Sequence, residues 1–101
     1  MEIARLYDVL ARIAPGPVVE VNRAVAHGRA FGPETGLAIL DAVVGLAGWH
    51  LVPAVRGDLL ERAGLPDEAA RSFRDAASLT RNAAERRILL RRAGVDPAGG
   101  G

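Results

Sequence analysis

Apolar residues in this chain recur at spacings of three and four. That is the period of helices with one face turned inward. From Glu2 to Ala14, the residues Ile3, Leu6, Tyr7, Leu10 and Ile13 share one stripe, which Pro15-Gly16-Pro17 ends. Proline restricts the residue before it and withholds an N–H. From Val18 to Arg29 a small-residue face runs through Val21, Ala24, Val25 and Gly28. Gly32-Pro33-Glu34-Thr35 then starts a third helix, proline followed by acid being a start signal. The pattern carries this helix from Glu34 to Ala47, with Leu37, Leu40, Val43, Val44 and Ala47 inward and Gly45 and Gly48 weakening its end. A fourth helix begins near Val52, or with a first turn around Trp49 to Pro53, and reaches Arg62 or Ala63. Gly64-Leu65-Pro66 separates it from a fifth, Asp67 to Thr80, whose first turn is acidic as the helix dipole favours. Asn82 caps a sixth, Ala83 to Ala93, closed by Gly94 and Pro97.

The fourth and fifth helices face each other across a tight turn. Gly57 is small where one helix approaches its neighbour, and Ala69, Phe73 and Ala76 share one face. The same unit recurs. Phe73, Leu40 and Tyr7 stand 33 residues apart, as do Ala76, Val43 and Leu10, then Ala69, Gly36 and Ile3. Gly57 and Ala24 keep this step, and so do Arg56 and Arg23. Glycine, alanine, aromatic, alanine in this order, at a period of about 34, resembles a tetratricopeptide repeat. The expectation is an all-α fold: a right-handed stack of antiparallel hairpins over residues 1–94. Its first helix lacks a hairpin partner, so either something upstream is missing or the outer face of that helix is exposed. The sixth helix is expected to cap the stack, because Leu90 falls where Gly57 and Ala24 stood. Residues 95–101 read as a flexible Gly-rich tail.

Composition narrows the function. Half of the 101 residues are hydrophobic but only 4% are aromatic, so helices must gain stability from many close contacts. All 13 basic residues are arginine and the net charge is +1, which does not by itself point to nucleic acid. There is no cysteine, hence no disulfide and no thiolate metal site. No apolar run approaches the ~20 residues of a membrane span. The acidic, amphipathic start is unlike a signal peptide, so a cytoplasmic location is expected.

Three segments carry a further likeness. Leu6-Tyr7-Asp8 with Val21-Asn22-Arg23-Ala24-Val25-Ala26 come first, and then Trp49-His50-Leu51 with Val55-Arg56-Gly57-Asp58-Leu59-Leu60. The last is Leu79-Thr80-Arg81-Asn82-Ala83-Ala84-Glu85-Arg86-Arg87. In this order they resemble the C-terminal tetratricopeptide-like extension of bacterial extracytoplasmic-function RNA polymerase sigma factors, of the actinobacterial type. The resemblance spans roughly Ile3 to Ala93. It implies a regulatory domain without catalysis or cofactor. The implied partners are upstream sigma regions, core polymerase or a regulator, and direct DNA contact, a membrane or a small-molecule substrate is not implied. The sigma regions themselves are absent from this sequence, so the resemblance implies that the chain is a C-terminal fragment of a longer protein, which would also account for the unpartnered first helix.

Candidate residues come from both readings. Arg23 and Arg56 hold equivalent places on inner helices, with Asp58 two residues beyond Arg56. They could line a peptide-binding groove, or form ion pairs that set packing register. Asn22 could bond a peptide backbone or a nearby carbonyl. The groove set is Asn22, Arg23, His50, Arg56, Asp58 and Arg62. Trp49 and His50 are placed at a hairpin junction. Arg86, Arg87, Arg91 and Arg92 make the last helix basic, either as a contact for an acidic surface or nucleic acid, or as a solvated face. The positions assigned to packing are Tyr7, Ala24, Leu40, Gly57, Ala69, Phe73 and Ala76. His27 and His50 lack acids at metal-binding spacing, and Ser72 and Ser78 lack a histidine nearby in sequence. A free-standing peptide-binding scaffold is the alternative function.

Overall fold

The computed structural model describes residues 3–43, 45–46 and 48–95. Among these the fold is all-helical: α1 (Ile3–Ile13), α2 (Pro17–Phe31), α3 (Pro33–Asp41), α4 (Leu51–Arg62), α5 (Pro66–Leu79) and α6 (Ala83–Arg92). The chain divides into two units, Met1–Ala47 and Gly48–Gly101. The Gly-rich end of the expected tail, residues 96–101, lies outside the described residues.

Helix starts obey proline chemistry. Pro17, Pro33 and Pro66 stand in the first turns of α2, α3 and α5, where the missing N–H would have no helical partner anyway. Pro53 is tolerated for the same reason. It is the third residue of α4, and the i to i−4 ladder begins just after it, with the Ala54 N–H donating to His50 O at 3.1 Å. Gly32, at φ +112°, ends α2 and precedes α3.

One predicted span is corrected. α3 stops at Asp41, not at Ala47. Ala42 N–H turns to Ile39 O and Val43 N–H to Leu40 O, which tightens the last turn and closes the helix; beyond it Gly45 and Gly48 take left-handed φ of +86° and +91°. The apolar pattern had run straight through them. Of the inward set, Leu40 is 1% exposed and Val43 half-buried, while Val44 and Ala47 lie outside the described residues.

In the first unit α2 packs against both α1 and α3, around Val21, Ala24, Leu40 and Ala4. The α1 stripe does not join this core. Ile3, Leu6 and Ile13 are exposed, Tyr7 and Leu10 are half-buried, and Ala4 is the buried residue of the helix. Tyr7, assigned to packing by the repeat, is therefore only partly covered.

In the second unit α5 packs against α4 and α6. Phe73, Ala69 and Ala76 are 0–1% exposed. A Cβ on Gly57 would fall 2.7 Å from the Phe73 ring, so the glycine is what lets α4 approach. The Arg92 guanidinium lies 4.3 Å from the ring centroid, a cation–π distance.

The ends of α4 and α6 match each other. Gly64 and Gly94 both take φ +81°. Leu65 N–H donates to Leu60 O and Val95 N–H to Leu90 O, the long bond of a Schellman motif. This aligns α6 with α4 at a step of 30, not 33. Leu89 takes the buried place of Leu59, and exposed Arg87 stands where Gly57 stood. The expectation that Leu90 occupies the Gly57 place is thereby overturned.

Gly57→Ala tests the closest approach. Elsewhere in a helix this change gains about 1 kcal/mol. Here the added methyl meets a buried ring, and stability should fall by about 1–3 kcal/mol. Thermal unfolding reads this as a lowered midpoint; an unchanged or raised one would contradict the packing.

Candidate partner-binding surfaces

The polar side chains singled out from the sequence turn out largely to join helices. In the first unit Arg23 Nε donates to Asp8 Oδ1 at 2.6 Å, and its NH1 to Glu20 Oε1 at 3.1 Å. His27 Nε2 lies 2.8 Å from the same Asp8 oxygen. His27 also packs on Phe31, ring centroids 5.3 Å apart. One carboxylate on α1 thus holds two side chains of α2. Hydrogen bonds from Arg23, then from His27, hold the Asp8 carboxyl below its ordinary value of 3.8. The Asp8 bond raises Arg23 in turn.

In the second unit Asp58 and Arg92 form an inter-helix pair. Arg92 NH2 reaches Asp58 Oδ1 at 3.3 Å and Glu61 Oε1 at 2.9 Å. Arg62 Nε lies 3.5 Å from Asp58 Oδ2. Burial opposes the charge on Arg92, but its bonds to Glu61 and Asp58 leave the guanidinium pKa raised. His50, before α4, pairs with Glu85 in the first turn of α6. Trp49 beside it is half-buried. Arg56 is half-buried and engaged within the protein.

The segment Leu79 to Arg87 is a joint as well. Asn82 Oδ1 accepts from Glu85 N–H at 2.8 Å, the cap expected from the sequence. Thr80, 3% exposed, accepts at Oγ1 from Asn82 N–H. Arg86 donates from Nε to Ala77 O at 3.1 Å and from NH2 to Thr80 O at 2.6 Å. It therefore satisfies carbonyls left open at the end of α5. Of the four basic residues of α6, Arg86 and Arg92 are committed to the fold, while Arg87 and Arg91 stand exposed.

Asn22 donates to Val18 O within its own helix at 3.2 Å. It also lines an open cleft of about 520 Å³ between α1 and α2, with Ile3, Tyr7, Val25 and Arg29. Sequence reasoning singled out only Asn22 from this place for function. Ile3 and Tyr7 had been assigned to buried packing, and Arg29 had been passed over. Ser72 is buried, and Ser78 Oγ donates to Asp75 O at 2.6 Å. Among the described residues no three His, Asp or Glu side chains gather as metal ligands, and no helix is long and apolar enough to cross a membrane.

No protein-family profile matches the chain, and no solved structure matches it. The chain is similar to an uncharacterized protein of Rhizobium meliloti (strain 1021), 39% identical over 101 residues, covering 96% of this chain. It spans only 24% of that relative's length.

Arg86→Ala should cost about 1.5–3 kcal/mol, the scale of charge-assisted hydrogen bonds to two buried-end carbonyls. Arg87→Ala should stay within about 0.5 kcal/mol. Urea unfolding of the two variants side by side separates them; equal losses would refute the joint. Asp8 binds its proton less readily in the fold than in the open chain. Its pairs therefore stabilise the fold above pH 3.8 and are lost as pH falls through the depressed folded value. Asp8→Asn should lower the melting temperature at neutral pH and flatten its decline between about pH 5 and pH 2. An unaltered acid limb in melting curves would contradict this.

Proposed function

We propose that the chain is a non-enzymatic protein-interaction domain, the tetratricopeptide-like C-terminal extension of an extracytoplasmic-function sigma factor. On this reading it works in the cytoplasm and modulates transcription initiation by touching sigma regions, core polymerase or a regulator. The observation that carries it is the ordered set of matched segments, N-R-A-V-A and L-T-R-N-x-x-E-R-R above all. Arg23 and Arg86, the arginines of those two segments with the most bonds, sit at helix joints. Residues that build a joint tend to recur wherever the same joint is built, which supports a shared architecture with that family.

The helix pairing supports a repeat stack. Gly57 under Phe73 is the small-against-large contact that a tetratricopeptide hairpin uses, and α6 reuses the end of α4 as a terminal helix would. A nucleic-acid role for α6 draws less support, because Arg86 and Arg92 are spent on carbonyls and carboxylates of the fold.

The test is retention of this chain on purified sigma regions and core polymerase, with run-off transcription by the factor with and without residues 3–93. Retention, and altered initiation on deletion, is the expected result. No retention and unchanged transcription would refute the proposal.

A further inference from the structure

The three copies of the 33-residue unit present one face in three states. In α5 this face carries Ala69, Ser72, Phe73 and Ala76, 0–7% exposed, with α4 laid against it through Gly57. In α3 it carries Gly36 and Leu40, both buried, and α2 packs on that helix with Ala24 fully buried in the Gly57 place. In α1 the same positions are Ile3, Leu6, Tyr7 and Leu10, and Ile13 extends them. Ile3 is 64% exposed, Leu6 43% and Ile13 74%. This face is more apolar than its α5 counterpart, yet it is covered only in part, with Tyr7 and Leu10 half-buried and the other three open, and an exposed apolar stripe of this kind marks a contact surface.

Charge adds a second constraint. Arg29 ends the cleft beside Ile3 and Tyr7 and is exposed. Its repeat counterpart Arg62 faces the carboxylate of Asp58. The residue in the Asp58 place here is Val25, and among the described residues Arg29 makes no ion pair. The cleft is continuous with the α1–α2 interface that Asp8 ties together.

We propose that the α1 stripe and its cleft seat one amphipathic helix of the protein partner, with glycine or alanine facing Tyr7 and a carboxylate facing Arg29. The inference rests on the reading of the chain as a protein-interaction domain. Helix-in-groove recognition needs these elements: apolar anchors at helical spacing, a small residue permitting close approach, and a polar end that fixes direction.

The probe is a synthetic peptide of this chain's residues 48–63, which carries Gly57 and Asp58 on a helix already matched to the equivalent face. Titrated into the isotope-labelled full chain, it should bind saturably, shifting amide resonances of Ile3, Leu6, Leu10 and Arg29. Leu6→Arg and Ile13→Arg alter exposed positions and should leave the melting temperature unchanged while weakening binding at least about tenfold. A Gly57→Leu peptide should weaken likewise. No saturation at about 1 mM peptide, shifts confined to α5, or a stripe closed by concentration-dependent self-association would each overturn the docking site. Failure of the peptide with intact retention on sigma regions and polymerase would sink this site and leave the function standing. A seated peptide without such retention would do the reverse.

Discussion

The contact of the Phe73 ring with the bare Cα of Gly57 sets the spacing of the second unit. With so few aromatic side chains, the chain has one large ring buried at a helix crossing, and a methyl on the facing residue would fall 2.7 Å from it. Close approach becomes possible through that gap, and dispersion contacts grow as the helices near each other. Arg92 lies over the same ring and reaches the acids of α4 beyond it. Three helices are thereby tied at one side chain, and its aliphatic stem shields apolar surface while its charge stays paired.

Polar side chains do the rest of the joining. Asp8 links α1 to α2, Arg86 links α5 to α6, and His50 with Glu85 links the starts of α4 and α6. Small apolar side chains offer little area, so orientation must come from directional bonds. Among the described residues no buried side-chain polar atom lacks a partner, which is the condition under which such bonds specify a fold without a desolvation penalty.

Much of this was legible in the chain. The six helices, their order, the proline starts and the Asn82 cap arise from local chemistry, which adjacent residues report. Other features did not show. α3 ends at Asp41, where Ala42 and Val43 close it with tight turn bonds to Ile39 O and Leu40 O, and the apolar residues beyond carry no signal of that stop before Gly45 is reached. The register of α6 was taken from the 33-residue period, whereas its Ala93-Gly94 cap repeats that of α4 at 30. The stripe on α1 announced an amphipathic helix, but periodicity says nothing of what covers the apolar side. The Asp8–Arg23 pair was hidden for a similar reason, since its partners are 15 residues apart and meet only once α1 has docked.

The hairpin of α4 and α5 is closed on both sides of its aromatic ring, while α1 is held along one side only. Native-state amide hydrogen exchange measures this difference residue by residue. The slowest exchange should fall on α5 around Phe73 and on α4 around Gly57, and α1 should exchange far faster, through local opening. Protection in α1 equal to that of α5 would contradict this picture of the fold.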